Sequence, residues 1–158
     1  MPGAWDQPAD VLQMEEQPKY QICKKHFVDG KSWEEAGAYK HMQELIKKKQ
    51  AKVDGCETYS DIVKRYKKLD HLYEKLKAGD TFKCYRDIQG RGINRNLNGV
   101  YIHFDRNCNP IFGGGGYHRL AIAKILNLNT IPCQLGVVHK KAILSGKFKN
   151  FSKLGNSY

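Results

Sequence analysis

The sequence lacks paired cysteines and long apolar segments. Its five cysteines stand singly, without a C-x-x-C pair and without histidines at the spacing of a zinc site. An odd, widely spaced set is also untypical of a disulfide framework. No apolar run approaches the roughly 20 residues that span a bilayer, and the first residues lack the basic and apolar regions of a signal peptide. We therefore expect a cytoplasmic protein with reduced thiols and no membrane partner.

Acidic residues are scarce relative to basic ones. The 158 residues include 27 Lys and Arg against 16 Asp and Glu, which gives a formal net charge of +11. Such an excess favours anionic partners, namely nucleic acid, nucleotides or acidic surfaces, although a basic solvated surface explains it equally well. The length suits one domain with a helical extension, and no internal repeat is present.

The common signatures of phosphate-binding loops are missing too. The chain contains neither the G-x-x-x-x-G-K-[ST] spacing of a Walker A loop nor a G-x-G-x-x-G fingerprint followed by an acid on the next strand. What it does contain is a run of four glycines, Gly113 to Gly116, followed by a His-Arg pair and an apolar segment. This run is either a flexible link ahead of a helix or a backbone cradle for an anion.

The first third of the chain predicts an arm and a helix. Residues 1–30 contain three prolines and little periodicity, so we expect an irregular arm anchored by Trp5. Ser32 and Glu35 then form a capping-box pattern, in which each side chain satisfies a backbone N–H group of the other residue. This pattern predicts a helix over 33–49.

A second capping box predicts the clearest helix of the sequence. Thr58 and Asp61 mark its start, and Gly79 has the position of a C-terminal cap. Apolar and aromatic residues then recur at spacings of three and four, which predicts a buried stripe rather than a platform for stacking bases. The stripe comprises Tyr59, Ile62, Val63, Tyr66, Leu69, Leu72, Tyr73 and Leu76.

The second half predicts short strands joined by turns and one buried helix. The predicted strands are 81–85, 100–104, 110–112 and 131–138, and the helix is 117–126. We expect three regions: an N-terminal arm and helical region over 1–80, a core over 81–145, and a basic tail over 146–158.

The context of the glycines allows an anion site. A helix N-terminus carries the positive end of the helix dipole, and glycines let an anion approach the backbone. His118 and Arg119 fall in the first helical turn, where cations are unfavourable for the helix itself, and a bound anion would explain them. On residue chemistry alone, an ordinary glycine loop followed by a helix with two exposed cations is equally compatible.

The segment from Gly116 to Ala123, followed by Leu126 to Pro132, resembles a motif shared by the N-terminal domains of ParB proteins and by sulfiredoxin. The motif is a G-x-x-R turn leading into a helix and then, through a short link, into an Ile-Pro pair and a strand. Residues 1–80 are more loosely similar to uncharacterised ParB-like proteins, through the Gly-x-Trp-Asp element that starts at Gly3 and the Trp-Glu-Glu sequence at Trp33. Those proteins also have a strand that closes on a histidine, which corresponds here to Val138-His139.

This resemblance implies an α+β fold, with an N-terminal helical region and a small mixed sheet of the ParB/sulfiredoxin type. It also implies a turn that holds nucleotide phosphates, with ATP or another nucleoside triphosphate as the cofactor and Mg²⁺ as an optional companion. The residues expected to bind the nucleotide are Gly113, Gly114, Gly115, Gly116, Tyr117, His118 and Arg119, assisted by Asn94 and Arg95.

Departures from the family restrict the chemistry. Tyr117 stands where sulfiredoxin has its catalytic cysteine, and Tyr117-His118 replaces a Glu-Arg pair of partitioning ParB proteins. Sulfinic-acid reduction and centromere binding are therefore not expected. Some members of this fold phosphorylate small molecules, and a kinase or nucleotide hydrolase needs a base and a metal-binding group. The nearby candidates are Asp87, Asp105 and His139, whose ordinary alternatives are turn formation and a strand-end position.

A rival function comes from the charge. A non-catalytic DNA- or RNA-binding module, or a ParB-like nuclease, would use the basic surface, the arginine-containing loop before residue 100 and the lysine-rich tail. The two functions differ in their response to salt, because binding that neutralises several phosphates weakens steeply as salt is added.

Overall fold

The structure is a computed structural model of the chain that describes residues 3–7, 13–83 and 99–149. The protein is α+β, and its described residues form several helices and one small three-stranded sheet. The described residues form two compact units. The helical unit comprises 14–82 and 118–131, and the sheet unit comprises 3–7, 13, 83, 99–117 and 132–149.

These units divide the chain differently from the three predicted regions. The change from helical to sheet unit after Phe82 lies close to the expected boundary, but the first residues of the arm belong to the sheet unit. The stretch from His118 to Ile131, expected within the core region, belongs to the helical unit. The assignment of these residues to one unit or the other follows from tertiary packing, which leaves no local signal in the sequence.

The helical unit contains a short 3-10 turn at Met14–Glu16 and four α-helices. The helices are α1 (Pro18–Phe27), α2 (Ala38–Lys49), α3 (Tyr59–Lys77) and α4 (Tyr117–Ile125). The first residue of α4, Tyr117, is the last residue of the sheet-unit range 99–117, and the rest of the helix belongs to the helical unit. The most deeply buried side chains of this unit are Cys23, Ala38, Met42, Ile62, Tyr66, Ala121 and Ile122.

Two predictions for this unit are wrong. The arm is not irregular throughout, because α1 occupies 18–27, with Pro18 in its first turn and Ile22 and Cys23 buried. The second helix begins at Ala38 rather than at residue 33. Gly37 has a φ of +84°, a left-handed conformation that interrupts a right-handed helix.

Helix α3 agrees with its prediction. Thr58 and Asp61 form the capping box with both reciprocal hydrogen bonds, and Gly79 follows the helix with a φ of +94°. The stripe is buried at Ile62, Tyr66, Leu69 and Leu76. The first stripe residue departs from the pattern, since Tyr59 is half exposed.

The sheet unit contains β1 (Val100–Phe104), β2 (Pro110–Gly114), β3 (Cys133–Val138) and the short helix α5 (Lys140–Leu144). The strand order is β2-β1-β3, with β1 antiparallel to β2 and parallel to β3, so the sheet is mixed. The strand predicted at 100–104 is confirmed. The returning strand extends two residues further than predicted, to Gly114, and β3 starts at Cys133 rather than at residue 131.

Other predictions fall partly or wholly outside the described residues. Of the strand predicted at 81–85, residues 81–83 are described and are not in a strand. The predicted basic tail is described only as far as Lys149.

Residues 3–6 pack within the sheet unit through side chains and backbone. The Asp6 carboxylate, fully buried, pairs with Arg106, and the Gly3 carbonyl oxygen lies 3.1 Å from His139 Nε2. The Trp5 ring, the predicted anchor, lies between His103 and His139, with ring centroids 5.9 and 6.0 Å away. Residues 3–6 are therefore an integral part of this unit.

Candidate phosphate-binding turn

The glycine run forms a tight turn between a strand and a helix. Strand β2 includes Gly113 and Gly114, and α4 begins at Tyr117 immediately after Gly116. The φ angles of Gly114, Gly115 and Gly116 are +107°, +68° and +58°. Three consecutive positive φ angles are accessible to glycine at little cost and are strained for other residues. The run is thus a defined turn, as the strand and helix patterns on either side predict.

The turn also packs closely on β1. A Cβ atom on Gly115 would lie 2.8 Å from the Tyr101 ring and 2.9 Å from the carbonyl oxygen of Gly99. A Cβ atom on Gly116 would lie 2.9 Å from a methyl group of Val100. Neither position has room for a side chain, so glycine is required by contact as well as by conformation.

The electrostatic setting of the turn suits an anion. A helix N-terminus presents backbone N–H groups and the positive end of the dipole. The first turn of α4 contains no acidic residue that would occupy this position. Tyr117 packs edge-on against Phe112 of β2, with ring centroids 5.2 Å apart, and this contact joins the start of the helix to the strand before the turn.

His118 lies in the core of the helical unit. Its side chain is 3% exposed and packs edge-on against the Tyr66 ring, with centroids 5.7 Å apart. Its Nδ1 atom lies 3.5 Å from Arg65 Nη2 and 3.9 Å from Asp54 Oδ2. Burial, together with the charges of Arg65 and Lys19, lowers the pKa of His118 well below its ordinary value. The imidazole is therefore neutral and serves the packing of this unit.

A small charged cluster surrounds His118 Nδ1. The Lys19 ammonium pairs with Asp54 Oδ2 at 2.6 Å, and Arg65 Nη1 donates to the Asp54 carbonyl oxygen at 2.7 Å. Burial opposes ionisation of Asp54, but the hydrogen bond and charge of Lys19, together with the charge of Arg65, lower its pKa below the ordinary value. The sequence alone does not reveal this cluster, because its members lie far apart in the chain.

Arg119 also makes a contact in the helical unit. Its guanidinium carbon lies 5.7 Å from the centroid of the Phe82 ring, within the range of a cation–π interaction. The two basic residues that follow the glycine turn therefore both have described contacts to residues of the helical unit.

The catalytic candidates in the described residues, Asp105 and His139, make structural hydrogen bonds, and their catalytic roles stay predictions. Asp105 Oδ1 accepts the backbone N–H groups of Asn107 and Asn109 at 2.8 and 2.7 Å, and Oδ2 accepts from the Asn109 amide at 2.9 Å. These bonds build the turn between β1 and β2, the ordinary alternative considered for this residue.

His139 caps a helix. Its Nδ1 accepts the backbone N–H of Lys141 at 3.1 Å, so Nε2 carries the proton and donates to the Gly3 carbonyl oxygen. Both ring nitrogens are engaged, and the side chain is 3% exposed. The other candidates, Asp87, Asn94 and Arg95, lie outside the described residues.

Within the described ranges, no group of three or more His, Cys, Asp or Glu side chains is arranged to bind a metal ion. None of the helices described has the length and apolar character that crossing a bilayer requires.

His103, which lies on β1 next to the glycine run, is not among the residues that the sequence predicts for the site. A Cβ atom on Gly113 in β2, or on Gly136 in β3, would overlap its imidazole ring. The available signal was a glycine in each flanking strand, and it becomes readable only when the register of the three strands is known.

Comparison with protein-family models, with curated proteins and with solved structures gives no match for this chain.

Proposed function

We propose that the protein binds the phosphates of a nucleotide at the glycine turn, through the backbone of residues Gly114 to Gly116. The observation that carries the proposal is the succession of three positive-φ glycines directly before the first residue of α4, of which Gly115 and Gly116 pack against β1. Backbone N–H groups at a helix start, without side chains in the way, are the usual means of holding a phosphate without a lysine-containing loop.

Charge and sequence resemblance support the same ligand. The net charge of +11 favours polyanions in general. The resemblance of the turn to that of ParB and sulfiredoxin narrows the ligand to a nucleoside di- or triphosphate, with ATP and Mg²⁺ as the first combination to test. In this proposal the backbone is the main phosphate ligand, because the His118 side chain is buried in the helical unit.

The proposal is one of binding rather than of a particular reaction. Phosphotransfer or hydrolysis requires a base for the nucleophile and groups that hold the metal. Asp105 and His139 are engaged in the bonds of a turn and of a helix cap. Kinase or hydrolase activity is therefore an extension, tested by whether a bound triphosphate is consumed.

The test is thermal unfolding with ATP, CTP, GTP and ADP, each with magnesium. A ligand at a hundredfold excess over its Kd stabilises the protein by about 2.7 kcal/mol. We expect at least one nucleotide to raise the melting temperature, and we expect Gly114→Ala to remove that shift. Gly146→Ala is the matched control, because Gly146 also has a positive φ, of +74°, and open space around it, but it is not part of the turn.

Nucleic-acid binding, the alternative function, predicts the opposite result in these experiments. A nucleic-acid-binding module would bind oligonucleotides with an affinity that falls steeply between low and physiological salt. Such binding, with no stabilisation by any nucleotide and no difference between the two glycine variants, would contradict the proposal.

A further inference from the structure

The pairing of β1 with β2 is irregular next to the glycine turn. The register shifts between Tyr101 and Ile102, and Gly113 remains as an extra residue in β2. An extra residue in one strand bends that strand and changes the direction in which it continues. Gly113 directly precedes the three turn glycines, so this irregularity determines how β2 enters the turn.

The pairing of β1 with β3 is irregular at the next residues of β1. The register shifts between Ile102 and Phe104, so that Gly136 and Val137 together lie opposite His103. The backbone N–H of Val137 donates to Nδ1 of the His103 ring at 2.8 Å. A side chain therefore accepts a hydrogen bond from the backbone of the irregular stretch.

The imidazole of His103 fills the space between these two irregularities. A Cβ atom on Gly113 would overlap Nε2, Cδ2 and Cε1 of the ring, and a Cβ atom on Gly136 would overlap Nδ1 and Cε1. The ring thus lies across the sheet, against the backbone of both flanking strands. Trp5 packs edge-on against it, with centroids 5.9 Å apart and planes at 80°.

We propose that His103 is a positioning residue of the glycine turn. Its ring rests against Gly113 and is held by the Val137 N–H and by Trp5, and in this way it fixes the path of β2 into Gly114, Gly115 and Gly116. The inference rests on the proposed function, which it deepens by naming the side chain that keeps the phosphate-binding backbone in place.

The test uses His103→Asn. The asparagine amide oxygen takes the place of Nδ1 and still accepts the Val137 N–H, but the part of the ring that contacts Gly113 is gone. We expect nucleotide affinity to fall about tenfold, the factor that corresponds to the loss of one well-placed interaction. We also expect the amide signals of the turn glycines, in unliganded protein labelled with ¹⁵N-glycine, to shift or broaden.

The matched control is Phe104→Leu, which alters the next residue of the same strand. Phe104 is buried against the cluster of Cys108 and Ala142, so this variant loses stability without touching Gly113. Its nucleotide affinity is expected to stay within twofold of the original. Equal effects of the two variants on affinity, or no effect of His103→Asn on affinity and glycine signals, would overturn the inference.

A second variant keeps the test decisive if His103→Asn does not fold. Gly113→Ala retains His103 but pushes its ring away from β2, and it is expected to weaken nucleotide binding by a similar factor, whereas Gly146→Ala does not. Unchanged binding by Gly113→Ala overturns the inference. If the unaltered protein binds no nucleotide, the proposed function itself fails, and the inference fails with it.

Discussion

The carboxylate of Asp6 accepts three hydrogen bonds from Arg106, one hundred residues further along the chain. Asp6 Oδ2 accepts the Arg106 backbone N–H at 2.7 Å and the Nε–H at 2.9 Å, and Oδ1 accepts from Nη2 at 2.6 Å. The Asp6 side chain has no exposed surface, and a buried carboxylate is tolerated only when it is paired in this way. The N-terminal arm is thereby tied to the turn that follows β1.

Asp6→Asn is expected to lower the melting temperature at neutral pH. The hydrogen bonds of Arg106 hold the pKa of Asp6 well below its usual value of 3.8. A depressed carboxyl pKa contributes stability that is fully present above the usual pKa and is lost as the pH falls through the lower one. The difference in unfolding free energy between the original protein and Asp6→Asn, measured by urea unfolding, should therefore be constant from pH 7 to 5 and shrink below pH 3.8.

The exposed Asp29 supplies the control for this charge change. Asp29→Asn removes the same charge from the surface and is expected to leave the melting temperature nearly unchanged. If Asp29→Asn lowered the melting temperature as much as Asp6→Asn does, the change in net charge, and not the loss of the Asp6–Arg106 pair, would account for the effect.

His118 is expected to make the protein less stable in mild acid. Burial and the nearby cations lower its folded-state pKa, whereas the unfolded chain takes up a proton near the ordinary value of 6.5. Below 6.5 the unfolded state binds more protons, so stability falls by up to about 1.4 kcal/mol for each pH unit. Urea unfolding at pH 7 and pH 5 measures this loss.

His118→Gln should remove most of that pH dependence, while His71→Gln, which changes an exposed histidine of α3, should leave it intact. An unaltered slope in His118→Gln would contradict the assignment of a buried, neutral imidazole. Asp54, whose pKa is also lowered, adds a further loss only below 3.8.

Gly116→Ala is expected to destabilise the protein more than Gly146→Ala. Both residues have positive φ angles, +58° and +74°, which cost an alanine about 1 kcal/mol. At Gly116 the new methyl group would also meet Val100, whereas at Gly146 it meets open space. Overpacking of this kind adds about 1–3 kcal/mol. Equal losses in urea unfolding would show that the turn does not pack on β1.

Asp70→Ala is expected to cost about 1–3 kcal/mol in the helical unit. Asp70 Oδ1 accepts the indole N–H of the buried Trp33 at 2.7 Å and lies 2.9 Å from Nε2 of His26. Without the carboxylate, the Trp33 donor loses its partner. Asp70→Asn retains an acceptor oxygen and should lose less, and the reverse order in urea unfolding would contradict this role.

Features that depend on nearby residues were predictable from the sequence. The start and end of α3 follow from Thr58, Asp61 and Gly79, and β1 follows from alternation over 100–104. The position of the glycine turn followed from the strand and helix patterns beside it. Each of these patterns is set by residues within one or two turns or strand repeats.

Features that depend on tertiary packing were not predictable in this way. The placement of His118 in the helical core depends on Tyr66 and Arg65, more than fifty residues earlier. The contact of His103 with Gly113 and Gly136 depends on strand register. A histidine after a glycine run looks the same in the sequence whether it faces a ligand or a core.

The two capping boxes offer a direct test of what this motif specifies. Ser32 and Glu35 make the same reciprocal bonds as Thr58 and Asp61, at 2.8 and 3.2 Å against 2.9 and 3.2 Å. The second box begins a helix of 19 residues, whereas the first precedes a turn that Gly37 separates from α2. Thr58→Ala should therefore cost about 1 kcal/mol and reduce helical circular dichroism near the transition.

Ser32→Ala breaks the same bonds but removes no helix start, so its effect should be smaller and should leave the helical signal of α2 unchanged. Ser60→Ala, in the exposed first turn of α3, serves as the neutral control. If Ser32→Ala and Thr58→Ala reduced helicity equally, the first capping box would be a true helix start. The conclusion that Gly37 separates this box from α2 would then be wrong. The expected inequality follows because a capping box satisfies backbone donors wherever it forms, but the residues after it decide whether the chain continues as a helix.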